Sequence, residues 1–464
     1  MTSKYSHKQS KSKYLAHMYD PAKYSSPLKR SMSGYEMEMC LITEKGDVSN
    51  SSETIIEQCK KFDKDFPIKK EVGKNMVEVI AMPYAKIQKS SMSFIRNIRK
   101  VLDICEKNNL YLMPLGAYPG TFKEDVWKKK RYLYPAKAIG EKKYFYYYSR
   151  LYSFHYHYTL PKGVFDKEKK VLNKKSFSRI GKTVLDSYNL LIAADPIITT
   201  LAQSSPFESG KYYAKDTRII FLRGGRRLKF DGLYNDLQFF GGLQPYKETM
   251  YDLISTLDKK DKKFKKLLKK SGAPESYIEN KDKLDLVWNP VKINRLGTIE
   301  QRGMDTNYLD VSLSICVMMK FILRAIHQEF YNVVPSDVGI KEPFKLEGNA
   351  IFIPPHSYVR NKLQYKSAYY GLSDENIYKA CLHFYNLARK LVYKEYLPML
   401  KPIKDIINKR ETVSDDIISY VKKKGYSIDN KIPQEISRKI ALYHCKRMVK
   451  NMEKTMKNYE NLEL

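Results

Sequence analysis

The six cysteines, Cys40, Cys59, Cys105, Cys316, Cys381 and Cys445, lie far apart and form no C-x-x-C pair. That spacing gives neither the disulfide framework of a small secreted domain nor a zinc ribbon, and the thiols read as reduced and mostly buried in a cytosol. Long apolar runs are also missing. The most apolar window, Leu313 to Ile326, is broken by Lys320 and Arg324 and falls short of the roughly 18 to 20 apolar residues of a membrane span. The first thirty residues are polar and rich in Lys, Ser and Tyr, with no apolar segment behind their positive charges, so no secretory leader is expected and Met1 reads as the start of the mature chain. There is no P-loop G-x-x-x-x-G-K-[ST], no kinase glycine-rich signature, no nucleophile motif and no internal repeat. Acidic residues are outnumbered 51 to 84, which leaves a net charge of +33. Such an excess attracts phosphate polymers, acidic lipids or anionic substrates, but a lysine-rich proteome produces the same count.

What is present is a chain of 464 residues, 43% hydrophobic and 13% aromatic, enough for a packed core in one large domain or two ordinary ones. Residues 1–30 read as a mobile basic arm, 31–372 as the main domain and 373–464 as a basic helical subdomain. Tyr35 to Thr43 alternates as a strand and ends in the turn-like Glu44-Lys45-Gly46-Asp47; Val77 to Met82 is a second strand. Phe94, Ile98, Val101, Leu102 and Cys105 form a helical stripe that leads into an extended Tyr111 to Leu115. The aromatic stretch Lys143 to Leu160 is strand-prone, Val184 to Leu201 is helical across Pro196, and Ser204 to Gly242 is a Gly/Arg-rich loop region. Leu296 to Arg302 is a strand ahead of a helix striped by Leu309, Leu313, Cys316, Met319, Leu323 and Phe330. Strands interleave with helices, so the class is α+β. In the densest basic run, Lys259 to Lys270, Leu257, Phe264 and Leu268 recur with Ile254 at helical spacing, which makes the eight lysines a solvated helix face.

Side chains two apart in a strand share a face. Glu36 with Glu38, His155 with His157, and Glu300 with Arg302 therefore each put two ionisable groups on one side of an apolar or aromatic ribbon. Glu78 stands alone in Met76-Val77-Glu78-Val79-Ile80, where a buried carboxylate needs a cation or a donor. Each feature alone is equally well a surface ladder or a satisfied core residue; together they suggest a cluster. Carboxylates with an imidazole favour magnesium, which prefers oxygen ligands and bridges to substrate phosphates. Phosphoryl transfer needs such ions and cationic side chains more than a protein nucleophile. Arg302, Arg218 and the loop Arg223-Gly224-Gly225-Arg226-Arg227 supply the cations. Asp305 and Thr306 read as a helix N-cap, and the tyrosines around Phe145 read as sheet core rather than base-stacking groups.

Six segments in order, Gly34-Tyr35-Glu36-Met37-Glu38, Val77-Glu78-Val79, Met113-Pro114-Leu115-Gly116, Phe154-His155-Tyr156-His157, Ser204-Ser205-Pro206-Phe207 with Arg218, and Gly297-Thr298-Ile299-Glu300-Gln301-Arg302, resemble the signatures of the glutamate-cysteine ligase and carboxylate-amine ligase superfamily. The resemblance spans roughly residues 33 to 330. It implies a catalytic domain related to glutamine synthetase, with a curved antiparallel sheet forming a funnel-shaped active site flanked by helices. It further implies Glu36, Glu38, Glu78, His155 and Glu300 as magnesium ligands, Arg302 and Arg218 as catalytic cations, and nucleotide contacts from His157, Arg218, Arg226 and Ser205. Glu71, seven residues before Glu78, stands where relatives place another acidic ligand, although Lys69, Lys70 and Lys74 crowd it. The implied reaction joins a carboxylate, that of glutamate in relatives, to an amine such as cysteine through an acyl phosphate made from ATP, as in glutathione biosynthesis, in the cytoplasm. The loop Lys211 to Arg227 and the last ninety residues depart from the family pattern, which leaves the amine open.

Two other readings stand beside this one. A basic nucleic-acid-binding protein on a ligase-like scaffold would explain the charge and the tyrosines but predicts altered metal ligands, and the set is intact. A ligase acting on an amino group of a macromolecule would use the basic surface for docking.

Overall fold

A long strand, β1 (Ser33–Thr43), organises the molecule because its alternation sends Tyr35, Met37 and Met39 to one face and Glu36 and Glu38 to the other. The computed structural model describes residues 31–173, 177–286 and 288–462, so the basic arm expected over 1–30 lies outside the described residues. The remaining strands of the main sheet are β2 (Ile68–Lys70), β3 (Met76–Ile80), β4 (Leu110–Met113), β5 (Ser153–Thr159), β6 (Val291–Asn294) and β7 (Thr298–Asp305). They run β6-β7-β5-β1-β3-β2, with β4 paired to the end of β1, and every pairing is antiparallel. The sheet is open, neither closed nor strongly curled, and this corrects the funnel expected from the family resemblance. Its edges, β2 and β6, are three and four residues long and do not meet. Register alone aligns the polar side chains on one face, so no curvature is required to gather them.

The opposite face is the core. Tyr35 packs at 5.5 Å, ring to ring, on Phe94 of α1 (Ile87–Glu106), and Phe154 of β5 completes the group at 6.1 Å from both. Phe94, Ile98, Val101 and Cys105 are buried as their spacing predicts, while Leu102 is only partly so. Each fully buried side chain of this kind contributes roughly 1.5–3 kcal/mol. One hydrophobic core runs from Tyr35 through α3 (Arg179–Leu201) and α6 (Leu309–Glu329) to Tyr459 of the C-terminal helix Gln434–Glu460. The residues after 373 are helical, as expected.

Several local expectations are overturned. Tyr144 to Tyr148 belong to a helix, α2 (Glu141–Tyr148), which starts after Gly140 at φ 133°. There the rings of Tyr144 and Tyr148 pack tilted, one turn apart at 4.7 Å, so packing overrides the strand preference of aromatics. The region after Ser204 contains a short helix, α4 (Thr217–Leu222), capped by Asp216, whose carboxylate accepts from Ile219 N at 2.9 Å. β7 continues to Asp305, and the following helix takes Tyr308 as its N-cap, so Asp305 and Thr306 are not caps. In α5 (Met250–Lys270), Leu257, Phe264 and Leu268 lie beneath a solvated lysine face as expected, with one exception. Lys260 is buried and donates to Asn289, and burial lowers its amine to about 7. All six cysteines are free and buried, and among the described residues no helix is long and apolar enough to cross a membrane.

Candidate active site

The polar face of the sheet is built from cross-strand pairs. Glu38 opposes Glu78, and Glu36 opposes His155. Glu300 opposes His157 on one side and Lys292 on the other, and Lys69 opposes Glu78. Period-two alternation thus brings Glu36, Glu38, Glu78, His155, His157, Glu300 and Arg302 to one face. Glu78, Glu300 and both histidines are buried, and Glu36 and Glu38 are half-buried.

Among the described residues, Glu36, His155 and Glu300 form the set whose ligand atoms all lie within 4.8 Å of one another. Hydrogen bonds orient the imidazole. Glu38 Oε2 accepts from the Ser153 backbone N–H at 2.8 Å and from its hydroxyl at 2.6 Å. The Ser153 oxygen then accepts from His155 Nε2, 2.8 Å away, which turns Nδ1 toward the carboxylates of Glu36 and Glu300. Nδ1 faces Glu36 Oε2 at 3.4 Å and Glu300 Oε1 at 3.8 Å. One imidazole nitrogen and two carboxylates converge there, an arrangement a cation satisfies. The donor set, two carboxylates and one imidazole, fits a divalent ion such as magnesium.

Charge tunes the row further. Burial pushes the Glu36 carboxyl up, yet His157 at 3.6 Å, His155 and Lys69 outweigh it and hold it well below the carboxylate range. Glu300 is lowered in the same way: burial is overcome by Lys292 and Arg302, each 3.7 Å away, and by the histidines. Glu78 goes the other way, to about 7, through burial and then the Glu36 charge, against which Lys69 acts at 3.2 Å. Glu71 is raised by burial, Glu78 and Glu38, and it faces Arg131 at 3.8 Å.

Two cavities flank the row. One is apolar, lined by Gly34, Ala81, Pro83, Leu160 and Phe165, with Glu36 and His157 on its wall. The other is lined by Glu38, Tyr148, Arg218, Tyr234, Trp288 and Arg302. Arg218 is buried, and its guanidinium donates to the carbonyls of Gly303 at 2.9 Å and Arg302 at 3.1 Å, holding β7 where its register shifts. Arg226 is exposed and Ser205 is buried, and neither lines either of these two cavities. Arg223 is occupied by Asp195 through contacts of 2.5 and 2.9 Å.

Lys69 and Lys292 are the site residues that strand reading alone left out. Both sit in short strands beside apolar neighbours, Ile68 for one and Val291 and Ile293 for the other, and that alternation was the available signal. The motif residues Gly116 and Ser204, together with Asp305, prove to be scaffold. Ser204 N donates to Asp305 at 2.9 Å, and Gly116 N to the Ser204 hydroxyl at 2.8 Å. A Cβ on Gly116 would stand 2.3 Å from Asp305, so only glycine allows that approach.

The open antiparallel sheet, with its carboxylate–imidazole cluster set between an apolar and an arginine-lined cavity, is that of a glutamine-synthetase-like ligase. The chain belongs to the glutamate-cysteine ligase family 2 (GCS2), which it matches over residues 32–380. It is therefore an ATP-dependent ligase of the carboxylate-amine superfamily. No match to a curated protein was found. Among solved structures it resembles a bifunctional glutathione synthetase from Pasteurella multocida, with a TM-score of 0.54 and 13% identity over 95% of this chain, and it spans 54% of that protein. It also resembles a glutamate–cysteine ligase from Francisella tularensis in complex with AMP, with a TM-score of 0.53, 15% identity and 94% of each chain covered. At these identities the likeness is one of fold.

Proposed function

We propose that this enzyme joins the side-chain carboxylate of glutamate to an amine, cysteine being the family default, by way of an acyl phosphate formed from ATP. The observation that carries the reading is the convergence of Glu36, His155 and Glu300 between the two cavities. The apolar cavity suits a nucleotide base, with His157 on the phosphate side; the other suits a substrate carboxylate facing Arg302 and Arg218. Glu36, His155 and Glu300 would hold magnesium, with Glu38 and Glu78 as further carboxylates. Bound there, the ion would neutralise phosphate charge and align the transferring group.

This chain's own residues supply the rest. Arg302, held against Glu300, offers positive charge to the phosphoryl group as charge develops in transfer. Arg218 fixes the Arg302 backbone, so orientation is set before substrate arrives. The glutamate carboxylate attacks the terminal phosphate and ADP leaves; the amine then attacks the acyl carbon, phosphate leaves and the amine gives up a proton. No serine or cysteine nucleophile is required. A cytoplasmic location is supported by the six free thiols, and glutathione biosynthesis by the resemblance in fold to the two enzymes above.

The test is to incubate the purified protein with ATP, magnesium and glutamate, adding single amino acids or amines, while following phosphate release and product mass. The expected result is phosphate release that depends on both glutamate and one acceptor class. No ATP turnover with any acceptor would remove the reading.

A further inference from the structure

The acidic row is closed at both ends by lysine. On the edge strand β6, Lys292 stands opposite Glu300; on the other edge strand, β2, Lys69 stands opposite Glu78. The two differ in freedom. The Lys292 side chain is 9% exposed, whereas that of Lys69 is 52% exposed and reaches in from solvent. Its ammonium lies 3.2 Å from Glu78 Oε1 and 3.8 Å from Glu36 Oε1, bridging two carboxylates as a divalent ion would. The neighbouring carboxylates have other partners, Ser153 for Glu38 and Arg131 for Glu71.

We propose that Lys69 is a built-in cation of the site: its ammonium holds the Glu78 end of the row, so the chain takes a divalent ion at Glu36, His155 and Glu300 and admits one at Glu78 only by displacing Lys69. Three physical points support this. A buried carboxylate beside like charges requires a counterion. A tethered ammonium is present at fixed concentration, whereas a free ion must be captured. A long lysine on an edge strand, its side chain half-exposed, can leave the row without any shift of the backbone. Occupancy of the second position is thereby tied to ion concentration, while the first position is left free. The proposal deepens the ligase reading and rests on it for the use of the ions, but the ion count itself is independent of turnover.

The experiment titrates Mn²⁺ into the full-length protein without nucleotide or amino acids, reading free Mn²⁺ by electron paramagnetic resonance, for the wild type, Lys69→Met and Lys69→Arg. At ion concentrations just sufficient to fill the first position, Lys69→Met is expected to bind one more Mn²⁺ than the wild type, and Lys69→Arg the same number as the wild type. In chelator, Lys69→Met melts below the wild type, and added Mn²⁺ closes the gap. Should that variant fold poorly in chelator, Lys69→Gln purified in Mn²⁺ gives the same count. Equal stoichiometry and affinity in wild type and Lys69→Met would overturn the proposal and leave the ligase reading standing. Absent ATP turnover with an extra ion in Lys69→Met would do the reverse.

Discussion

Glu38 and Glu78 stand directly opposite one another in the antiparallel β1–β3 register, two carboxylates on one face of the sheet. Directly opposed like charges destabilise a strand pair, by roughly 0.2–1 kcal/mol when exposed, and burial of Glu78 sharpens the repulsion. Glu78→Gln is therefore expected to melt about 1–2 °C above the wild type in chelator, while its Mn²⁺ affinity falls. Calorimetry in chelator and in Mn²⁺ checks both. A variant that melts lower in chelator and binds Mn²⁺ normally would show that Glu78 is a structural carboxylate.

Beneath the sheet, Asp195 is fully buried and is held by Arg223 on both oxygens and by Gln301 at 3.0 Å. Arg223→Met removes the positive partner and strands the carboxylate away from water. The expected cost is about 3–5 kcal/mol, read from urea unfolding. A loss under about 1 kcal/mol would contradict a structural role for this ion pair.

Two buried histidines give the protein an acid-sensitive component. Burial, with Lys320 near His327 and Arg447 near His444, lowers each ring to about 3. Both stay neutral in the folded chain, while the unfolded chain takes up their protons below about pH 6.5. Their contribution is complete above that pH and declines as pH falls, by up to about 1.4 kcal/mol per pH unit for each histidine, until it levels off near the folded-state value. Denaturant unfolding between neutral and mildly acidic pH should show a shallower slope for the double variant His327→Gln, His444→Gln than for the wild type. Identical slopes would contradict this origin.

The acidic row was legible because strand alternation is local: Glu36 with Glu38 and His155 with His157 share a face whatever their partners. Its counter-charges were not, since Lys69 and Lys292 acquire meaning only through register with Glu78 and Glu300, a non-local relation. Tyr144 to Tyr148 were misread as strand because aromatic residues suit either element and packing decides. Asp305 has the residue type of a cap and sits close to a helix, yet Ser204, about a hundred positions earlier, claims its carboxylate. The funnel came from the family resemblance alone, and the pairing of this sheet, ending in two short unjoined edges, leaves it open.

The central claim is that a substrate carboxylate is activated by phosphorylation on the Glu36–His155–Glu300 face. Glutamate carrying heavy oxygen in its side-chain carboxylate, incubated with ATP, magnesium and the productive amine, tests it most directly. The account predicts one labelled oxygen in the released phosphate for each amide formed, and loss of both products in Glu300→Ala with the fold intact by circular dichroism. Unlabelled phosphate, or near-normal turnover by Glu300→Ala, would contradict it.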